Sequence, residues 1–342
     1  MAKSAYADKS IVDIAKALGI SAATVSRALN DNPRISEATR QRVKEKAVEM
    51  GYRHNSMASS LRNRRSNIIG LIVPRISMYF HSVFITALQN RLQEEGYSLM
   101  VCQSNDSVSI ERKLAATLYS SRVDALVVSL TLYTESYEHF DGFMSHGIPL
   151  VFYDRVPTTA YPAHIIKGDE YEGGRLAAEQ LIMHGCHRPA YISGPLSCSI
   201  YRERTAAFRK VLKKAAIPLK EAWCFYQELT AENARRSLDQ LFSESITPDA
   251  IFASNDTTAL AAVQYARDRG IPVPDQLKVI GYSNDPRAAI ISPAITTIDQ
   301  HPDVMAQKVA DKLLSLLRDK QNQTENGDQE IVPVTLVKRE TA

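Results

Sequence analysis

Apolar residues in the first fifty positions recur at helical spacing. Ile11, Ile14, Ala15 and Leu18 stand at i, i+3, i+4 and i+7 and predict one face of a helix. Ser10 followed by Asp13 reads as a capping-box start, and Gly19 ends the helix. Ser21 then caps a second helix after a short turn, the grammar of a helix-turn-helix. A third helix runs from Ser36 to Gly51, with Val43, Ala47 and Met50 as its buried stripe and Gly51 as the residue that stops it.

Beyond residue 67 the pattern changes from amphipathic helices to short apolar runs separated by helical stretches. "IIGLIV" (68–73), "YSLMV" (97–101), "DALVVSL" (124–130) and "PLVFYD" (149–154) predict buried strands, with helices near 80–95, 108–121 and 136–146 between them. The rhythm restarts with "HIIKGD" (164–169), "PAYIS" (189–193), "DAIFAS" (249–254) and "LKVIGY" (277–282). Such alternation predicts parallel sheets covered on both faces, here in two lobes with a cleft between them. A polar stretch, 318–330, precedes a last strand, "IVPVTLV". Ligands of open α/β sheets bind at the carboxyl ends of strands, which directs attention to the residues there.

The second helix is slim. In "GISAATVSRALN" (19–30), Ala22, Ala23, Thr24 and Ser26 present no bulk, while Val25 and Leu29 anchor it to its neighbours. A helix that enters the major groove must bring its first residues close to base edges, and bulk would hold it off. Arg27 has the reach and the fork for a bidentate contact with guanine. Small hydroxyls and N–H groups at the helix start suit phosphates.

Charge strengthens this picture. Residues 1–66 hold 13 Lys and Arg against 6 Asp and Glu; with 41 and 38 in the whole chain, the remainder holds 28 against 32. A basic head on a mildly acidic body is the footprint of a polyanion partner. At 342 residues the chain has room for several domains, and 44% hydrophobic and 23% charged residues are ordinary for a globular protein. No signal-peptide core or 18-residue apolar run is present, so no membrane partner and a cytoplasmic location are expected. The four cysteines form no CxxC pair and are read as reduced thiols. "HGCH" (184–187) lacks the second cluster that would close a metal site. No phosphate loop, nucleophile elbow or dinucleotide fingerprint occurs, so neither an enzymatic role nor a cofactor is expected. A transport solute-binding protein, the other rival, would not carry the basic head.

Residues 10–61, "SIVDIAKALGISAATVSRALNDNPRISEATRQRVKEKAVEMGYRHNSMASSL", resemble the headpiece and hinge of the lac-repressor/gal-repressor family of bacterial transcription regulators, and the resemblance continues to about Lys338. It implies a helix-turn-helix headpiece (8–54), a hinge (55–66) and a two-lobed core (67–340) similar to periplasmic sugar-binding proteins. The lobes are expected at 67–167 with 299–325, and at 168–298 with 326–340. The implied DNA contacts are Ser21, Ala22, Ala23, Thr24, Ser26, Arg27 and Asn30, with Ala58, Leu61 and Arg62 in the hinge. There the leucine would wedge between base steps in the minor groove. His54 and Ser59 stand where relatives often have proline and arginine.

The cleft contacts expected from strand ends and from the resemblance are Tyr79, Phe80, Asp154, Arg155, Arg204, Asn255, Asp256 and Ser283. Carboxylates, an arginine fork and a stacking aromatic suit a polyhydroxylated ligand. Cys198, Ile200 and Ser283 depart from the better-known family pocket, so analogy does not assign its ligand; a sugar or sugar phosphate is the first expectation and a nucleobase the second. The expected whole is a homodimer that binds a near-palindromic double-stranded operator, with affinity set by a small-molecule, carbohydrate-like effector.

Overall fold

The computed structural model describes residues 9–52, 65–243, 245–318 and 327–342, which fall into two units divided at Ser66 and Asn67. The hinge residues Ala58, Leu61 and Arg62 lie outside the described residues.

The first unit is three helices: α1 (Ile11–Leu18), α2 (Ala22–Leu29) and α3 (Glu37–Glu49). Ser10 and Asp13 form the reciprocal capping box, with the Ser10 N–H donating to Asp13 Oδ2 at 2.9 Å. Gly19 takes a positive φ of 66°, which turns the chain within three residues into α2. Ile14, Ala15, Val25, Ala28, Val43 and Ala47 are buried together as one small core.

The second unit holds two six-stranded sheets. The first has the order β11-β5-β4-β3-β1-β2 and the second β12-β10-β9-β8-β6-β7. In the first, β1 (Ile68–Val73), β2 (Ser98–Gln103), β3 (Ala125–Val128), β4 (Leu150–Tyr153), β5 (His164–Gly168) and β11 (Gln329–Val332) are all parallel. In the second, β6 (Pro189–Ser193), β7 (Cys224–Tyr226), β8 (Ala250–Ala253), β9 (Lys278–Tyr282) and β10 (Thr296–Asp299) are parallel, and only β12 (Thr335–Val337) runs against β10. Each sheet is buried on both faces, which explains why its strands read as continuous apolar runs.

The structure corrects the lobe boundaries. β5, whose run reads as a restart of the rhythm, lies in the first sheet between β4 and β11. Residues 329–332, expected in the second lobe, form β11 beside β5 of the first. The run "IVPVTLV" is not one strand. Pro333 cannot donate to a ladder, so the chain breaks there and crosses lobes. Val332 is buried in the first lobe and Val334 in the second. β7 and β10 were not foreseen. Nor was helix α12 (Pro302–Arg318), which packs Met305, Val309 and Leu313 in the same core as Phe84, Leu88 and Leu92 of helix α4 (Tyr79–Glu94).

Candidate functional site

α2 begins at Ser21, whose Oγ accepts the Thr24 N–H at 3.1 Å and lies 2.9 Å from the Thr24 hydroxyl. Both side chains therefore hold the helix start in shape while remaining at least partly open to solvent. Asn30 finishes the helix, its amide donating to the Ser26 carbonyl at 2.7 Å. Val25 is fully buried and Leu29 half-buried, so both anchors face the core. Arg27 is exposed, as is Ala23, and Ala22 is half-buried. The result is a short helix whose outer surface carries small residues and one long cation.

The second unit has a cavity of about 230 Å³ between its lobes. It sits at the carboxyl ends of strands, where parallel sheets leave their loops free to build a site. Six of the expected contacts line it: Tyr79, Phe80, Arg155, Asn255, Asp256 and Ser283. Asp154 and Arg204 instead line an adjoining recess of about 20 Å³, together with His81 and Gln300.

Local geometry explains the placements. Asp154 (φ 57°) and Ser283 (φ 108°) follow the last residues of β4 and β9 with left-handed backbone, which swings the chain sharply out of each sheet. Asn255 caps helix α10 (Asp256–Asp268), its side chain accepting the Thr258 N–H at 2.9 Å. Asp256 accepts the Thr297 hydroxyl and the Asp285 N–H, each at 2.7 Å. Burial pushes the Asp256 carboxyl up to about 6, against those two hydrogen bonds, which pull it down. Burial raises Asp154 to about 6 as well, and burial with the nearby Arg155 charge lowers His81 to about 3. His81 is thus neutral and bonded through Nδ1 to the Tyr153 hydroxyl at 3.1 Å.

Arg204 is committed to structure. Its Nε donates to Glu170 Oε2 at 2.6 Å, its Nη1 to the Ser254 carbonyl at 2.8 Å, and its guanidinium lies 3.5 Å from the centre of the Tyr282 ring. Tyr282 and Gln300 also donate to Glu170. Two glycines make this possible. Helix α7 (Glu170–Met183) carries Gly173 and Gly174, where a Cβ would stand 2.1 Å from the Tyr282 hydroxyl and 2.3 Å from the Arg204 carbonyl oxygen.

Several cavity residues had not been singled out. Asp106, after β2, accepts from Arg155 Nη1 at 2.5 Å and from Arg75 Nε at 3.3 Å. Arg75 also pairs with Glu228 of the other lobe. Leu132 of the first lobe packs with Cys198, Ile200, Tyr201 and Leu229 of the second. Further contacts join the lobes, among them Ser197 Oγ to the Leu132 carbonyl at 2.9 Å, the Val156 N–H to Ser199 Oγ at 3.1 Å and Lys167 Nζ to Glu203 Oε1 at 2.5 Å. The strand-end rule pointed to Asp106; Glu228 was out of reach because β7, which it follows, was not recognised.

Comparison with known proteins decides the family. Residues 10–55 match the family described as bacterial regulatory proteins, lacI family, and residues 178–342 match a periplasmic binding protein-like domain. The chain is 33% identical over 291 residues to the HTH-type transcriptional regulator DegA of Bacillus subtilis (strain 168), covering 85% of this chain and 86% of that one. The chain belongs to the lacI family of bacterial regulatory proteins. It is 31% identical to the ribose operon repressor of the same organism, over 97% of this chain and 98% of the relative. The lac repressor dimer, solved bound to operator and the anti-inducer ONPF, superposes with a TM-score of 0.84 at 27% identity, covering 98% of this chain and 99% of that one. This lacI-family chain is accordingly a DNA-binding transcriptional regulator, and the relatives it resembles are regulators, not enzymes. Among the described residues no helix is long and apolar enough to cross a membrane.

Proposed function

We propose that this lacI-family regulator acts as a cytoplasmic homodimeric repressor that reads a near-palindromic operator and is controlled by a carbohydrate effector held between the core lobes. The observation that carries the effector reading is the cleft itself: a cavity of about 230 Å³ lined by aromatic rings, hydroxyls and paired charges at strand ends. A relative named ribose operon repressor, and the lac repressor solved with a small molecule, the anti-inducer ONPF, support the class.

On the DNA side Ser21, Ala22, Ala23, Thr24, Ser26, Arg27 and Asn30 form the reading helix, and two copies read two half-sites. Ala58, Leu61 and Arg62 form the hinge contact, with Leu61 as the wedge. Effector in the cleft alters lobe closure, and with it the geometry of the two hinges and the affinity for operator.

The test is selection of bound sequences from a random double-stranded DNA pool at moderate salt, with and without a panel of free sugars. The expected product is a near-palindrome with a guanine in each half-site, gained or lost when one sugar is added. Arg27→Ala is expected to cost about 1–3 kcal/mol at one base of each half-site and to relax specificity there. Equal weakening of all sequences would assign Arg27 to phosphate instead. No enriched sequence at all would refute the operator reading.

A further inference from the structure

After β3 the chain leaves the first sheet and turns through residues 131–134 on its way to the second lobe. Three successive backbone N–H groups there find side-chain acceptors in place of a strand ladder. Thr131 donates to Glu111 Oε2 at 3.0 Å, Leu132 to Asp106 Oδ1 at 3.2 Å and Tyr133 to the Thr131 hydroxyl at 3.2 Å. Buried backbone N–H groups must be paired, so the path of this turn is set by where the acceptors stand.

What the turn delivers is Leu132. Its side chain is buried against Cys198, Ile200, Tyr201 and Leu229 of the second lobe, and its carbonyl accepts the Ser197 hydroxyl at 2.9 Å. Apolar attraction has no direction of its own, so the contact depends on the turn to place the side chain. The Arg75–Glu228 pair between the same lobes has both side chains more than a third exposed, and solvent screens it.

Glu111 holds the turn from behind. It lies in the first turn of helix α5 (Val108–Ser120) and is completely buried. Its Oε1 accepts the Thr134 hydroxyl at 2.9 Å and stands 3.0 Å from His139 Nε2. His139 Nδ1 is buried with no partner among the described residues. A hydrogen there would go unpaired, so the ring carries its hydrogen on Nε2 and donates to Glu111. Thr134 gives its hydroxyl hydrogen to Glu111, so the Thr131 hydroxyl, 2.7 Å away, donates to Thr134.

We infer that Glu111, oriented by His139, is a positioning residue for the contact between the lobes: it shapes the 131–134 turn so that Leu132 seats on the second lobe. Its bearing on DNA rests on the reading above that lobe arrangement sets operator affinity. Glu111→Gln keeps the shape of the side chain, but its amide must present an N–H either to the Thr131 N–H or to Thr134 and His139. One side of the clamp then meets a donor where it needs an acceptor.

Alkylation of the full chain by iodoacetamide, with the labelled cysteine identified by mass spectrometry, tests this. Cys198 is buried in the cluster that Leu132 completes, and Cys186 in a separate core of the same lobe. Burial raises both thiols to about 11, so they start from like reactivity. Their rates separate opening of the contact from opening of the lobe. Glu111→Gln is expected to speed labelling of Cys198 about tenfold, as loss of one charge-assisted hydrogen bond does, and to leave Cys186 unchanged. Thr134→Val, the milder change, is expected to act the same way more weakly, and it carries the test if Glu111→Gln does not fold. Thr134→Ser keeps the hydroxyl and is expected to label like the unaltered chain. Leu132→Ala is expected to expose Cys198 directly, and Glu111→Gln added to it to change nothing further, because the carboxylate acts through Leu132. Operator affinity is measured on the same variants.

Unchanged labelling of Cys198 in the Glu111 and Thr134→Val variants overturns the inference. Equal acceleration of Cys198 and Cys186 in both also overturns it, since Glu111 would then support the fold at large. Additive acceleration in the double variant overturns the route through Leu132. Faster labelling of Cys198 alone, with operator affinity unchanged, leaves the positioning role standing and overturns the reading that lobe arrangement controls DNA.

Discussion

Arg204 and Glu170 have almost no solvent contact, and each supplies the charge that makes the other tolerable. Arg204→Ala would strand a buried carboxylate, so it is expected to cost about 3–5 kcal/mol of core stability, read from the urea midpoint. A lost effector response in that variant would report damage to the core before it reported a lost ligand contact. His81 makes a second prediction. Unfolded it takes a proton near 6.5, but folded only near 3, because burial and the Arg155 charge oppose it. The unfolded state therefore binds the extra proton across that window, and this group's contribution falls as pH drops from about 6.5 toward 3. Asp154 acts oppositely: its folded value near 6 lies above its ordinary 3.8, so its contribution is full below about 4 and lost as pH rises to 6. His81→Gln is expected to lose less stability than the wild type between pH 7 and pH 4.5, measured by urea midpoints. An equal loss would show that His81 is protonated in the fold.

At the scale of elements, α7 shows packing overruling local preference. Replacing glycine by alanine within a helix ordinarily gains about 1 kcal/mol. At Gly174 the added Cβ would stand 2.3 Å from the Arg204 carbonyl, on the backbone of helix α8 (Ser199–Lys214). Gly174→Ala is therefore expected to destabilise by about 1–3 kcal/mol, as overpacked cores do, with a lower melting temperature as the readout. An unchanged or raised melting temperature would mean that the two helices can separate without loss. The pair "GG" is plain in the sequence, yet nothing local says what lies against it, since the partner helix is thirty residues on.

In the whole molecule the contacts between the lobes among the described residues include the Arg75–Glu228 and Lys167–Glu203 pairs, two hydrogen bonds and the apolar cluster around Leu132. A ligand that touches both lobes can shift such an arrangement with modest energy. Coupling between effector and operator is expected at about 1–3 kcal/mol, a change of about 5- to 150-fold in operator affinity. Operator titrations at saturating effector measure it directly. No change on saturation would separate ligand binding in the cleft from control of DNA.

The amino-acid sequence alone determined what depends on neighbours in the chain. Ser10 with Asp13, Gly19 and Ser21 specify helix ends, because caps act within a turn. Strand segments buried on both faces were legible as apolar runs, and so were residues such as Asp256 and Ser283 at their carboxyl ends. Which sheet a strand joins was decided only by tertiary structure. β5 and β11 pair with each other although about 160 residues apart, and no periodicity reports a partner at that distance. The same holds for charge. In the sequence Arg155 and Arg204 are equivalent as cations, but folding encloses Arg204 with Glu170 and sets Arg155 in the cavity lining, paired with Asp106. The chemical meaning of an ionisable group rests on the dielectric and the partners around it, and only the assembled fold supplies these.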